Sequence, residues 1–103
     1  MHTGLLKREM LQQHVADIYQ SNSKDRMQRI RETFDETYPQ AEARLKAEHR
    51  ELSETERNIL LLNFLHFRIK EEADLLGLSE NTVAKYRSNL GKALGKDPIS
   101  DWI

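Results

Sequence analysis

The stretch Ile69-Lys70-Glu71-Glu72-Ala73-Asp74-Leu75-Leu76-Gly77-Leu78-Ser79-Glu80-Asn81-Thr82-Val83-Ala84-Lys85-Tyr86-Arg87-Ser88-Asn89-Leu90 decides the fold. Ile69 to Leu76 reads as a short helix. Gly77 stands just past it, where a left-handed residue ends a helix at no steric cost. Leu78 plugs the turn, and Ser79 is placed to cap a second helix running from Glu80 to about Leu94, with Gly95 closing it. Two helices joined by a tight glycine turn are the physical content of a helix-turn-helix.

At helical spacing, Val83, Leu90 and Leu94 fall on one side of the second helix. Asn81, Lys85, Ser88 and Lys92 fall on the other. That outer face combines cations with short hydrogen-bonding side chains, the mixture that suits base edges and phosphates. Ser79 also places a helix N-terminus, with its unpaired N–H groups, where a phosphate can be met.

Upstream, Ser53-Glu54-Thr55-Glu56 is a capping box, in which Ser53 and Glu56 satisfy each other's backbone donors. An apolar helix from about Glu54 to His66 follows. Ile59, Leu60, Phe64 and Phe67 form one face, and Leu61 and Leu65 lie roughly opposite. A helix apolar on two sides is buried on two sides, so the second side needs a cover from the N-terminal helices. The first of these spans residues 5–20, with Leu11, Val15 and Ile18 as its stripe. Ser21-Asn22-Ser23 interrupts the pattern, and Ser23 is the expected N-cap of a helix carrying Met27, Ile30, Phe34 and Tyr38. Pro39 ends, kinks or restarts that helix. Ala41 and Leu45 then continue an apolar face to about His49. Asp97-Pro98 reads as a cap and first-turn proline before at most one further helical turn. Trp102 fits either a local core or an interface.

The balance of composition agrees with an all-α chain. Of 103 residues, 38% are hydrophobic and 32% charged, with only 4 Gly and 2 Pro, too few turn formers for a sheet protein. There is no cysteine, which excludes disulfides, thiol catalysis and Cys-based metal sites. No apolar run approaches membrane-spanning length, and no signal-peptide layout opens the chain; a cytoplasmic protein is expected. Net charge is −1, but unevenly spread: residues 79–96 hold four cations, Lys85, Arg87, Lys92 and Lys96, against one acid, Glu80. Four histidines, His2, His14, His49 and His66, show no metal-ligand spacing. Gly91-Lys92 and Gly95-Lys96 lack the full glycine pattern and preceding strand of a phosphate loop. Glu71-Glu72 reads as a solvated helix face rather than acid–base machinery. Phe34, Tyr38, Phe64 and Phe67 read as core rather than a stacking platform. No enzyme, cofactor or metal is expected.

Leu52-Ser53-Glu54-Thr55-Glu56-Arg57-Asn58-Ile59-Leu60 resembles the opening of the LuxR-type (GerE-like) DNA-binding domain. Lys70 to Ser79 resembles its scaffold helix and turn, and Glu80 to Leu90, closing with Leu94-Gly95, its recognition helix. The register runs without a gap from Leu52 to Gly95, or 44 of 103 residues. Sigma-factor region 4 is a related pattern that matches the second half nearly as well. Phe34-Asp35-Glu36-Thr37-Tyr38-Pro39, then Leu45 and Leu52-Ser53, is similar to the C-terminal output region of transcriptional regulators common in Bacteroidetes. This likeness implies a sensor or repeat domain of a parent protein as a neighbour. Glu72 departs from the LuxR-type pattern, standing where an apolar core residue is usual, and the expectation is that Ile69 takes its place through a shifted helix. With at most one helical turn after Asp97-Pro98 in place of the family's fourth helix, the usual dimer contact through that helix is not expected.

Together these readings predict an all-α fold, with a helical linker or dimerisation region over 1–51 and a LuxR-like tri-helical, winged-helix-superfamily domain over 52–103. The expected function is sequence-specific binding of duplex DNA in transcription regulation. Asn81, Lys85 and Ser88 face the groove beside Thr82, and Arg87, Lys92 and Lys96 hold phosphates. A homodimer through the N-terminal helices is expected, because their stripes exceed what so small a core can bury. The alternative is a helical protein-interaction module that retains the helix-turn-helix as a scaffold.

Overall fold

The computed structural model describes residues 3–95 and 97–100, so Lys96 and Trp102 lie outside the described residues. Six helices follow in order: α1 Thr3–Gln20, α2 Arg26–Thr37, α3 Ala41–Glu48, α4 Glu54–Phe64, α5 Ile69–Leu76 and α6 Glu80–Leu94, with no strand among the described residues.

The ends of these elements follow local chemistry. At α4 the Ser53 hydroxyl accepts from the Glu56 N–H at 3.2 Å, and the Glu56 carboxylate accepts from the Ser53 N–H at 2.8 Å; the capping box is complete. Gly77 adopts φ 67°, and the Leu78 N–H donates back to the Ala73 carbonyl at 3.0 Å, which closes α5. Ser79 then caps α6 by accepting from the Thr82 N–H at 3.1 Å. Asp97 caps the turn after α6: its carboxylate accepts from the Ser100 hydroxyl at 2.6 Å. Pro39 lies in the turn between α2 and α3, so it separates two helices rather than kinking one.

Two boundaries differ from the sequence reading. Ser23 does not cap α2, which begins at Arg26; its hydroxyl donates to the Asp25 carboxylate at 2.9 Å instead. The apolar helix α4 ends at Phe64, not His66, because His66 turns the chain with φ 67° and sends it into α5.

The core is one continuous cluster that joins the N-terminal helices to the helix-turn-helix. It takes in Leu11, Val15 and Ile18 of α1, Ile30 and Phe34 of α2, Leu45 of α3, Ile59 to Leu62 and Phe64 of α4, and Leu90 of α6. Phe34, Tyr38 and Phe64 pack as an aromatic trio with centroids 5.7–5.9 Å apart, Phe34 and Tyr38 tilted to each other and both edge-on to Phe64, and Tyr19 meets Phe67 edge-on at 5.8 Å. The Leu61 and Leu65 side of α4 is therefore covered, and both residues are buried within the single chain. This overturns the reason for expecting an N-terminal dimer. The stripes of α1 and α2 are spent inside one molecule, and Met10 is the exposed large hydrophobic among the described residues.

Polar stitches fix the same packing. Arg26 donates to the Tyr19 carbonyl at 2.8 Å and to Asp74 of α5 at 3.0 Å, and the Tyr19 hydroxyl donates to the same Asp74 carboxylate at 3.0 Å. Arg8 donates to the Phe64 carbonyl at 3.0 Å while its guanidinium lies 4.1 Å from the centre of the Phe64 ring. Arg31 reaches Glu42 at 3.0 Å and Glu54 at 3.5 Å.

Candidate nucleic-acid interface

The face of α6 is set by what its other side buries. Val83 and Leu90 are buried and Leu94 is half-buried, against α4 and α5. That orientation turns Asn81, Lys85, Ser88 and Lys92 outward, and all four are exposed. Ala84 and Asn89 join them, so the outer face carries two cations, two amides and a hydroxyl on a helix held by a left-handed glycine and a serine cap. Glu80 in the first turn is exposed as well. At the start of α5, Arg68 and Lys70 add two exposed cations, which the sequence reading passed over because that segment is acidic on balance.

Thr82 and Arg87 are placed differently from the rest. Thr82 is half-buried, and its hydroxyl accepts from Ser79 at 2.9 Å, so it serves the cap. Arg87 does not point outward. Its guanidinium donates to the Asn63 side-chain carbonyl of α4, and its Nε lies 3.7 Å from Glu72 Oε1 of α5. The expected role of Arg87 as a phosphate contact is at odds with this placement, because its charge is already committed inside the three-helix unit.

Glu72 is the residue that sequence reasoning misplaced. It is 0% exposed, neither a solvated face nor displaced by Ile69, which is half-buried. Its two carboxylate oxygens are buried without a hydrogen-bond partner. Burial pushes its pKa up to about 7, with Arg87 pulling it down and Glu71 adding to the rise. A charged residue interrupting the apolar stripe of α5 was visible in the sequence. Its partner was not, because Arg87 and Asn63 are 15 and 9 residues away in the chain. Asp74, by contrast, is held below the usual carboxylate range by hydrogen bonds from Arg26 and Tyr19.

Residues 42–90 match the family model described as Sigma-70, region 4. This part of the chain is similar to sigma-70 region 4. The match runs from α3 through α4 and α5 to Leu90 in α6, and so covers the helix-turn-helix and begins upstream of Leu52. It supports a helix-turn-helix of the DNA-binding, transcription-related kind; it does not single out the LuxR-type domain. No curated protein and no solved structure matches the chain. No helix among the described residues is long and apolar enough to cross a membrane.

Proposed function

We propose that the protein binds duplex DNA in transcription regulation, with α6 in the major groove. The observation that carries this reading is the exposed Asn81–Lys85–Ser88–Lys92 face on a capped helix, within a segment similar to sigma-70 region 4. In a helix-turn-helix the second helix meets base edges and the first crosses the phosphate backbone. Lys85, Ser88 and Asn81 are assigned to the groove, Lys92 and Lys96 to phosphates, and Arg68 and Lys70 at the start of α5 to the flanking strand. The finer likeness to the LuxR-type domain over Glu80 to Leu90 supports the same assignment, and the likeness of Phe34 to Pro39, Leu45 and Leu52-Ser53 to Bacteroidetes-type regulators supports a regulatory context. Because the apolar stripes of α1 and α2 are buried in one chain, the unit that binds is read as a monomer rather than an N-terminal homodimer.

The test is binding to random duplex DNA over a range of salt. Each phosphate neutralised releases counterions, so engagement of the four backbone-facing cations gives a log–log slope of roughly −3.5. The net charge of −1 favours the second reading, a protein-interaction module. Absence of duplex binding at about 50 mM salt, where the electrostatic term is strong, would make that reading the better one.

A further inference from the structure

The inner side of α6 holds a feature that DNA contact does not use. Arg87 projects from it towards two other helices, donating to Asn63 of α4 and facing Glu72 of α5 at 3.7 Å. Glu72 is wholly buried, and both of its oxygens lack a hydrogen-bond partner. The three residues come from the three helices of the helix-turn-helix unit. Beside them lies a cleft of about 370 Å³ between α4 and α6, lined in part by His66, Gly91 and Asp97.

We propose that Glu72, Arg87 and Asn63 form an internal clasp that sets the angle at which α6 is presented to DNA, so that Arg87 is a positioning residue and not a phosphate contact. This rests on the DNA-binding reading above. An apolar contact between α5 and α6 tolerates sliding, because dispersion is non-directional. A guanidinium shared between a carboxylate and an amide does not, because its donors are fixed in a planar fork. A buried ion pair contributes little to net stability, since desolvation offsets the attraction, and its best-attested use is to fix register. The 3.7 Å separation and the unpartnered oxygens show a pair held by charge rather than by hydrogen bonds. The clasp is therefore sensitive to the charge on Glu72, which burial holds protonated to unusually high pH.

The groups facing Glu72 are few. Arg87 comes from α6, Glu71 from its own helix, and the neutral Asn63 amide from α4 engages Arg87. On the other side of α5, Arg26 is committed to Asp74. His66 and Asp97 line the cleft next to Arg87; Asp97 is tied to Arg8 at 3.5 Å and to Ser100. Raising the pH from 6 to 8 charges Glu72 and closes the clasp, which sharpens discrimination between a preferred site and random duplex.

The experiment uses the full chain, duplexes selected from a randomised pool at pH 8, and random duplex as reference. The principal variant is Glu72→Leu/Arg87→Leu, since Glu72 is buried and Arg87 half-buried and removing both charges together leaves neither one unpaired; circular dichroism verifies the helix content. The double variant is expected to bind random duplex with an unchanged salt slope, and to lose about ten-fold of its preference for the selected site, the share of roughly one base contact. Wild-type preference is expected to rise between pH 6 and pH 8, to be flat in Glu72→Gln, and to keep its rise in His66→Asn. A salt slope shallower by about one in the double variant would make Arg87 a phosphate contact and overturn the proposal. An unchanged preference, or a pH profile that disappears with His66→Asn, would also overturn it. Wild-type protein that binds no duplex at low salt removes the DNA-binding reading itself, an outcome distinct from either.

Discussion

Lys85 and Lys92 sit on the same exposed face of α6, seven residues apart, yet they are expected to fail differently. Lys85 lies in the N-terminal half, which goes deepest into the groove. Lys85→Ala should weaken a preferred site by about 1–3 kcal/mol while sparing random duplex more. Lys92→Ala should lower affinity on all sequences alike and flatten the salt slope by about one. Titration of both variants against selected and random duplex checks the split; equal losses on both DNAs for Lys85 would move it to the backbone. Glu72 makes a second prediction at this scale. Its pKa rises from 4.5 unfolded to about 7 folded, so the folded state holds its proton more tightly. The resulting stability is fully present below 4.5 and is lost as pH rises through 7. At about 1.4 kcal/mol per pH unit the loss is on the order of 3 kcal/mol. Asp74, with its lowered pKa, acts in the opposite sense, lending stability that is lost only on acidification below the usual carboxylate range. Urea midpoints should therefore fall from pH 5.5 to pH 8 in the wild type and change much less in Glu72→Gln; parallel profiles would remove Glu72 as the cause.

Among the elements, α5 and α6 show how local rules and exceptions combine. Gly77 has φ 67°, a conformation that costs a side chain strain. Gly77→Ala is expected to destabilise by about 1 kcal/mol, the ordinary penalty of a left-handed non-glycine residue. Gly91 is the contrast. It is helical within α6, and an added Cβ would meet nothing within 4 Å. Gly91→Ala should raise stability by about 0.5–1 kcal/mol through the entropy removed from the unfolded chain. Thermal unfolding of the two variants should thus shift in opposite directions, and a loss on Gly91→Ala would show that the cleft beside it needs the open space. The capped starts at Ser53 and Ser79 and the glycine end at Gly77 were all legible in the sequence, because each depends on neighbours within a few residues. The Ser23 cap was not: Asp25 stands two residues on and takes the serine hydroxyl for itself.

For the whole molecule the decisive observation is that α1 and α2 belong to the same core as the helix-turn-helix. A chain beginning at Glu48 would lose the cover of Phe64 from Phe34, Tyr38 and Arg8, and would expose Leu61 and Leu65. Such a chain is expected to lose its cooperative unfolding transition or to aggregate, and the full chain is expected to sediment as a monomer. A stable, monomeric Glu48–Ile103 fragment would show instead that the two parts fold independently. Sequence periodicity by itself determined the all-helical class, the helix-turn-helix and the outward face of α6, because helical faces and caps are set by spacings of three, four and seven residues. Only the tertiary structure decided where the N-terminal stripes go, and that Arg87 turns inward to Glu72. Both depend on which distant helix comes to lie against a given face. Hydrophobic burial is non-directional, so an apolar stripe looks the same whether its cover is another chain or another part of its own. A buried carboxylate looks like a solvated one until the arginine that faces it has been brought there by the fold.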